Sequence, residues 1–355
     1  MVNGVFQTTL EISPRSRYDA IDVRVRIAET HGDVLEGFKR VLYCSHHTTA
    51  GYLDQRLAHR LHDRREGVDP YIRRFQALFP IGAGYLHDEL EMRTELSDEE
   101  RRREPPNGDA HLTFIGSGLQ NCVTYDHRSG VPVFFMDLDG VYRGEVRRRK
   151  TSIVAYDREE TIAERVAEVP VSHHAIDSVN LNDERIGLRQ QIDELLRAHP
   201  VQNGRLDLSL DPAEQAAGVT VNEYETLLMR HDLTDVLDNP LRFVAHQGRR
   251  MLQNPRAVPA KSLGYARYDV VRVINRLIDA TGLGDTAIEA FLSRMMAIPA
   301  ARRLRFKRKL SLPVTLDPEG HGQIVTGRYQ SPILIQWAPA PRQVRNLHLS
   351  LSRFS

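Results

Sequence analysis

The sequence is poor in cysteine. Its 355 residues hold two, Cys44 and Cys122, too few for a disulfide framework and not spaced as a CxxC pair. That excludes the disulfide-stapled scaffolds and points to a reducing compartment. Charge of one sign is also missing: 48 Lys and Arg stand against 47 Asp and Glu, a formal net charge of +1. No whole-protein field draws in nucleic acid or a membrane surface. No run approaches the roughly 18 apolar residues of a membrane span. The start, MVNGVFQTTLEISPRS, lacks the basic-then-apolar order of a secretory signal. A cytoplasmic protein without membrane or nucleic-acid partners is expected. The stretches GYARYD and GLGD contain glycine but not the spacing of a phosphate loop or dinucleotide fingerprint. There is no internal repeat.

What is present changes character near residue 180. Before it, residues 5–12, 38–49, 112–125, 131–137 and 152–156 are β-branched or aromatic and bounded by turn residues, which predicts strands. Helices are expected over 19–29 and 70–78. The charged stretch 92–104 reads as an insertion, a solvated loop or short exposed helix. After 180 the periods become helical. Asn182 or Asp183 can cap a helix carrying Ile186, Ile192, Leu195 and Leu196. Thr220-Val-Asn-Glu223 reads as a capping box. Amphipathic helices are expected over 268–281 and 285–297. A hairpin (KLSLPVTLD to IVTGRYQ) and the strands SPILIQW and NLHLSLSRF close the chain. The fold class is therefore α+β. A mixed or antiparallel sheet domain with helices spans 1–165, and a mostly helical domain with a β-rich tail spans 180–355.

The polar residues of YCSHHTTAGY sit where a core strand would carry Val, Ile or Phe. Imidazoles and hydroxyls are costly to bury without partners, so they are either satisfied structurally or line a site. If 41–49 is one strand, His46 and His47 point to opposite faces and at most one serves a given site. Cys44 reads as a small buried apolar residue. Two further histidines stand at loop ends, where sites collect on rigid scaffolds. His87 follows the glycine turn of GAGYLHDE, and His111 follows the turn of EPPNGDAHLTFIGSG, at what reads as a strand start. His31, His59, His62 and His127 read as surface or satisfied core residues. The basic run ARRLRFKRKL at 301–310 reads as a solvated face, with phosphate contact as the sharper alternative.

SHHTTAGY, YLHDE, NGDAHLTFIGSG and VPVFFMDLDGVYRGEVRRRK, in that order, resemble the motifs of the YjbQ-type family, the secondary thiamine-phosphate synthases, over about residues 4–157. The resemblance implies a compact α+β domain that assembles into trimers around a histidine-lined pocket for a metal ion or an anion. It implies His47, His87 and His111 as metal ligands, with zinc the first candidate, since three neutral imidazoles and an open fourth position hold a catalytic zinc. It further implies His47, His111 and Arg143 as catalytic residues. Thr48, Thr49, Asn107 and Arg147 would contact a small phosphorylated substrate, Asp88 or Asn107 would orient a ligand imidazole, and either arginine would meet a phosphate. The implied activity is transfer between phosphorylated small molecules, giving thiamine phosphate. Two family features are missing. YLDQRLAHRLHDRREGVDP stands where the family has Asn-Glu-Asn, with Asp54 and Gln55 nearest the place, and HRSGVPVFF replaces its Trp-Gln. These departures support an alternative, a non-catalytic metal- or anion-binding module whose C-terminal domain binds a partner.

Overall fold

The computed structural model describes residues 4–94, 96–128, 130–239, 242–243 and 304–355. The helices expected over 268–281 and 285–297 lie outside the described residues. Two compact units share the chain. The first comprises Met1–Asp69, Phe114–Tyr224 and Phe306–Ser355; the second comprises Pro70–Thr113 and Glu225–Arg305. Both units draw on chain from either side of 165–180, so they divide the fold otherwise than a cut along the sequence does.

The first unit carries the described strands. They are β1 (Val5–Ile12), β2 (Asp19–Asp22), β3 (Arg40–Ser45), β4 (Ala50–Gly51), β5 (Cys122–Asp126), β6 (Phe134–Asp137), β7 (Val141–Tyr142), β8 (Glu145–Val146) and β9 (Arg149–Tyr156). After them come β10 (Glu159–Pro170), β11 (Asp177–Asn180), β12 (Gly204–Leu210), β13 (Ala217–Asn222), β14 (Lys309–Leu316), β15 (Gly322–Ile324), β16 (Ser331–Gln336) and β17 (Val344–Phe354). One sheet runs β1-β9-β3-β5 and a second runs β10-β17-β12-β14-β15, while β11-β16-β13 and β2-β6-β4 form smaller sheets. The strand pairings among the described residues are antiparallel, as in β1 on β9 and β3 on both β9 and β5. β3 and β12 are buried almost end to end because they are central strands covered on both faces. Leu206, Leu208, Leu347, Leu349 and Leu351 anchor the larger core. Each such side chain, fully buried, contributes about 1.5–3 kcal/mol.

Helices in this unit are α1 (Val23–His31) and α2 (Gln55–Arg60), and α3 (Arg65–Leu78) begins in it. The second unit adds α4 (Asp98–Arg103) and the start of α5 (Gly108–Ser117). Back in the first unit, α6 (Leu188–Ala198) buries Leu188, Ile192, Leu195 and Leu196, the one-sided stripe that its sequence predicts. Asp183 caps the short turn before it, and Gly187 takes the left-handed conformation between turn and helix. α7 (Leu233–Asp238) belongs to the second unit.

Four expectations need correction. Residues 112–125 are not one strand: α5 and β5 share them. Ala110 to Ile115 are buried on every side of the helix, so the stretch shows no helical period and reads equally as a buried strand. Residues 19–29 begin as β2, paired with β6, before Asp22 caps α1 through the Arg24 amide. The C-terminal part is not mostly helical among the described residues: after 198 it is chiefly β12 to β17, folded into the first unit. The tail strands and their hairpin are where the sequence puts them. Finally, Thr220-Val-Asn-Glu223 is no capping box, since Thr220 and Asn222 lie in β13. The helical turns start later, and it is Glu225 that accepts the Leu227 and Leu228 amides at 2.7 and 2.8 Å.

Candidate functional site

The second unit gathers buried polar groups from three segments. A single 3-10 turn, Leu86–Asp88, presents His87. Two carboxylates hold this turn. Asp232 accepts the Leu86 amide at 3.0 Å and the His87 amide at 2.9 Å. Asp88 reaches across to accept the Gly108 amide at 2.9 Å, which ties the turn to the first residue of α5. Gly108 is required there, because a Cβ would stand 2.9 Å from Tyr85 Cβ. Asn107 precedes the helix, and its carbonyl accepts the His111 amide at 3.1 Å. His111 thus lies one turn into α5, and its ring meets that of His87 edge-on, centroids 4.9 Å apart.

Around His87 the partners are charged or polar on both ring nitrogens. Nδ1 stands 3.0 Å from Glu225 Oε2, and Nε2 stands 3.2 Å from Asn107 Oδ1 and 3.4 Å from Arg93 Nη1. His87, Arg93 and His111 are 1%, 2% and 0% exposed, so these charges interact in a dry setting. Arg93 comes from the charged insertion. The expectation of a solvated segment holds for α4, whose Ser97–Glu100 capping box is exposed, but this arginine is turned inward. Burial pushes the Glu225 carboxyl up, yet hydrogen bonds from His87 and the Leu227 and Leu228 amides outweigh it and hold the group at about 2. Asp232 goes the other way: burial raises it to about 6, with its two backbone bonds opposing. Asp232 sits in a single π-helical turn, Leu228–Asp232, where the Leu233 amide bonds back to the Leu228 carbonyl. Such turns recur at functional sites.

The donor set fits a metal ion. The ligand nitrogens of His87 and His111 lie within 4.8 Å of each other. Glu225 behind His87 Nδ1 is the carboxylate–imidazole arrangement that fixes the tautomer of a ligating histidine, while Nε2 faces Asn107 Oδ1 and Arg93 Nη1. The Arg93 guanidinium beside Nε2 opposes a cation and favours an anion, so the same pocket suits a metal–phosphate pair better than a bare metal.

The first unit holds the remaining expected residues. β3 stops at Ser45, and the polar run 46–49 leaves it as a loop. His46 Nε2 lies 2.8 Å from Ser152 Oγ. His47 Nε2 accepts the Lys150 amide at 2.7 Å. The proton of a neutral His47 therefore sits on Nδ1, and its single lone pair is already committed. Burial, then Arg149, lowers this imidazole to about 3, so it stays neutral. The Thr48 carbonyl accepts the Asn222 amide at 2.9 Å. The Thr49 hydroxyl donates to Asp139 at 2.6 Å. Asp137 and Asp139, both fully buried, share Arg149, and Arg147 Nη1 reaches Asp139 at 2.5 Å. Burial pushes the Asp137 carboxyl up, only partly offset by Arg149. This is a closed ion network, and Thr49 and Arg147 are members of it. Arg143 is exposed at the tip of the β7–β8 hairpin, with φ of 49° and its guanidinium 5.0 Å over the Tyr142 ring.

Several motifs resolve into structural roles. Asp54 caps α2 through the Leu57 amide and pairs with Lys307, and Gln55 bonds the Asp126 backbone. In the basic run, Lys309 pairs with Asp207 at 2.9 Å, and Arg308 donates to the Glu214 and Asp211 carbonyls, each at 2.7 Å. His31 meets Thr8 Oγ1 at 3.0 Å, and His59 meets Asp63 at 3.1 Å. Sequence reasoning missed Arg93, Glu225 and Asp232. A lone arginine in a charged segment carries no mark of burial. Glu225 stands only two residues past a plausible capping glutamate, the signal that was misplaced.

No family model matches the chain, and no curated protein does. Solved structures similar over about half of it include ones described as YbjQ-like or of the YjbQ/UPF0047 family. A YbjQ-like protein of unknown function from Sulfolobus solfataricus is 15% identical, covering 55% of this chain and 99% of its own, with a TM-score of 0.29. A hypothetical protein from Aeropyrum pernix is 16% identical over 53% of this chain and 96% of its own, with a TM-score of 0.26. An uncharacterised YjbQ/UPF0047-family protein from Clostridium acetobutylicum is 10% identical over 54% of this chain and 99% of its own, with a TM-score of 0.23. At such identities and scores these likenesses lend no residue roles. Among the described residues no helix is long and apolar enough to cross a membrane.

Proposed function

We propose that the protein is an enzyme of metal-assisted chemistry on small phosphorylated substrates, with its centre at His87 and His111. The observation that carries the reading is the buried imidazole pair with Glu225 behind His87 Nδ1. A bound divalent metal, zinc as the first candidate, would polarise a phosphate oxygen or acidify a bound water. The protein's own groups do the rest. Glu225 keeps the His87 proton on Nδ1. Arg93 supplies a fixed cation for phosphate charge, strengthened by burial. Asp232 and Asp88 hold the turn and the helix that carry the two histidines. The finer reading is transfer joining a pyrimidine pyrophosphate to a thiazole phosphate, in a homo-oligomer of the trimeric kind, within the cytoplasm. It rests on the resemblance of the motifs.

The second reading, an anion-binding module without turnover, is favoured by one observation, Arg93 Nη1 at 3.4 Å from His87 Nε2. Pyrophosphate release from the two phosphorylated substrates separates the readings. The enzyme reading predicts release that a chelator abolishes and that His111→Ala lowers by about 100-fold, the upper end of what loss of a partner around a metal ligand costs. Tight phosphate binding with no release, with or without added zinc, supports the module and contradicts the enzyme.

A further inference from the structure

Cys44 and Cys122 face each other across two antiparallel strands. They are direct partners in the β3–β5 register. The Ser45 amide donates to the Asn121 carbonyl at 2.7 Å, which makes Ser45 and Asn121 a hydrogen-bonded pair. Pairs alternate along an antiparallel ladder, so Cys44 and Cys122 occupy the non-hydrogen-bonded position, where Cα atoms approach to about 4.5 Å. A disulfide spans Cα separations of about 4.4–6.8 Å. Both thiols are nearly buried, at 2% and 3% exposure, among Leu42, Val154, Tyr156 and Phe354. Cys122, with Gln120, Asn121, Lys307 and Lys309, lines a small cleft, and Cys44 does not.

We infer that Cys44 and Cys122 form a reversible cross-strand disulfide when the protein meets a hydroperoxide, a modification site separate from the centre at His87 and His111. The chemistry balances in two steps. The Cys122 sulfur attacks the peroxide, takes one oxygen and becomes a sulfenic acid, releasing water or an alcohol. The Cys44 sulfur then attacks that sulfenic sulfur, the S–S bond forms and a second water leaves. The peroxide is reduced and two thiols are oxidised. Burial and the neighbouring Cys122 push the Cys44 thiol well above its usual range, so Cys44 is not the sulfur that meets the peroxide first. The consequence is local. Asn121, next to Cys122, donates its side-chain amide to the His47 carbonyl, so a staple between β3 and β5 also clamps the 45–49 loop.

The test treats the native full-length chain with hydrogen peroxide, quenches free thiols in denaturant and maps peptides without reduction. The expected result is one joined peptide containing Cys44 and Cys122, lighter by two hydrogens. It separates on addition of a dithiol reductant. Cys44→Ser is expected to leave Cys122 as a trappable sulfenic acid, and Cys122→Ser to leave Cys44 unoxidised. Two free thiols in the treated wild type would overturn the inference. So would Cys122 carried to sulfinic acid without a crosslink. Both outcomes are read on the wild type, so neither depends on a variant folding.

Discussion

Gly108 leaves no room for a side chain, and that makes it a sharp probe of the site. A Cβ there would meet the Cβ and Cγ of Tyr85 at 2.9 and 3.0 Å, atoms close to the backbone that cannot swing away. Gly108→Ala is expected to cost about 1–3 kcal/mol, as overpacking does, and to shift the urea midpoint accordingly. The two buried acids give a pH signature of opposite signs. Asp232 rises from 3.8 to about 6 on burial, so its share of stability is present below about pH 4 and is lost as pH climbs through 6. Glu225 falls from 4.5 to about 2, so its share is present above about pH 4.5 and is lost as pH falls towards 2. Asp232→Asn should therefore flatten the wild-type loss between about pH 4 and 6 and leave the acid limb unchanged. Urea midpoints across that range decide it, and identical slopes in both proteins would contradict the assignment. At this scale the sequence was informative about which residues are costly to bury. His87, Asn107 and His111 stand out beside turns, and they do come together. Arg93 and Glu225 do not stand out, because nothing local distinguishes a buried charge from a solvated one.

At the scale of elements, β9 and β6 carry the ion network that closes the loop after β3. Arg149 bonds Asp137 with both its Nε and Nη2, at 2.6 and 2.7 Å, and bonds Asp139 as well. Removing it leaves two carboxylates without their cation in a place that water does not reach. Arg149→Met is expected to cost about 3–5 kcal/mol, the usual penalty for breaking a buried pair from one side. Thermal unfolding measures it. Partial recovery at low pH, where the orphaned acids take up protons, would mark the cause as charge rather than lost packing. Strands with alternating or β-branched character, such as β1, β9, β14, β16 and β17, were legible because period and composition agree. α5 was not legible, because full burial erases the period that separates helix from strand. β3 ended early for a related reason: the two imidazoles and the Thr49 hydroxyl find partners that a ladder would deny them.

At the scale of the whole molecule, two units drawn from interleaved stretches replace the simple succession of a sheet domain and a helical domain. Sequence reading follows the chain and sees a change of composition near 180. It does not see that β12 to β17 complete a unit begun by β1. His47, Thr48, Thr49, Arg143 and Arg147 belong to the first unit, while His87, Asn107 and His111 belong to the second. The central claim is that the second unit's imidazole pair holds a divalent metal. Metal content per chain, measured by elemental mass spectrometry on wild type, His87→Ala, His111→Ala and His47→Ala, tests it most directly. We predict near one metal per chain in the wild type, its loss in the first two variants, and its retention in the third, where the replaced imidazole spends its lone pair on the Lys150 amide. A wild type that stays metal-free after reconstitution, or a His87→Ala protein that keeps its metal, would contradict the claim.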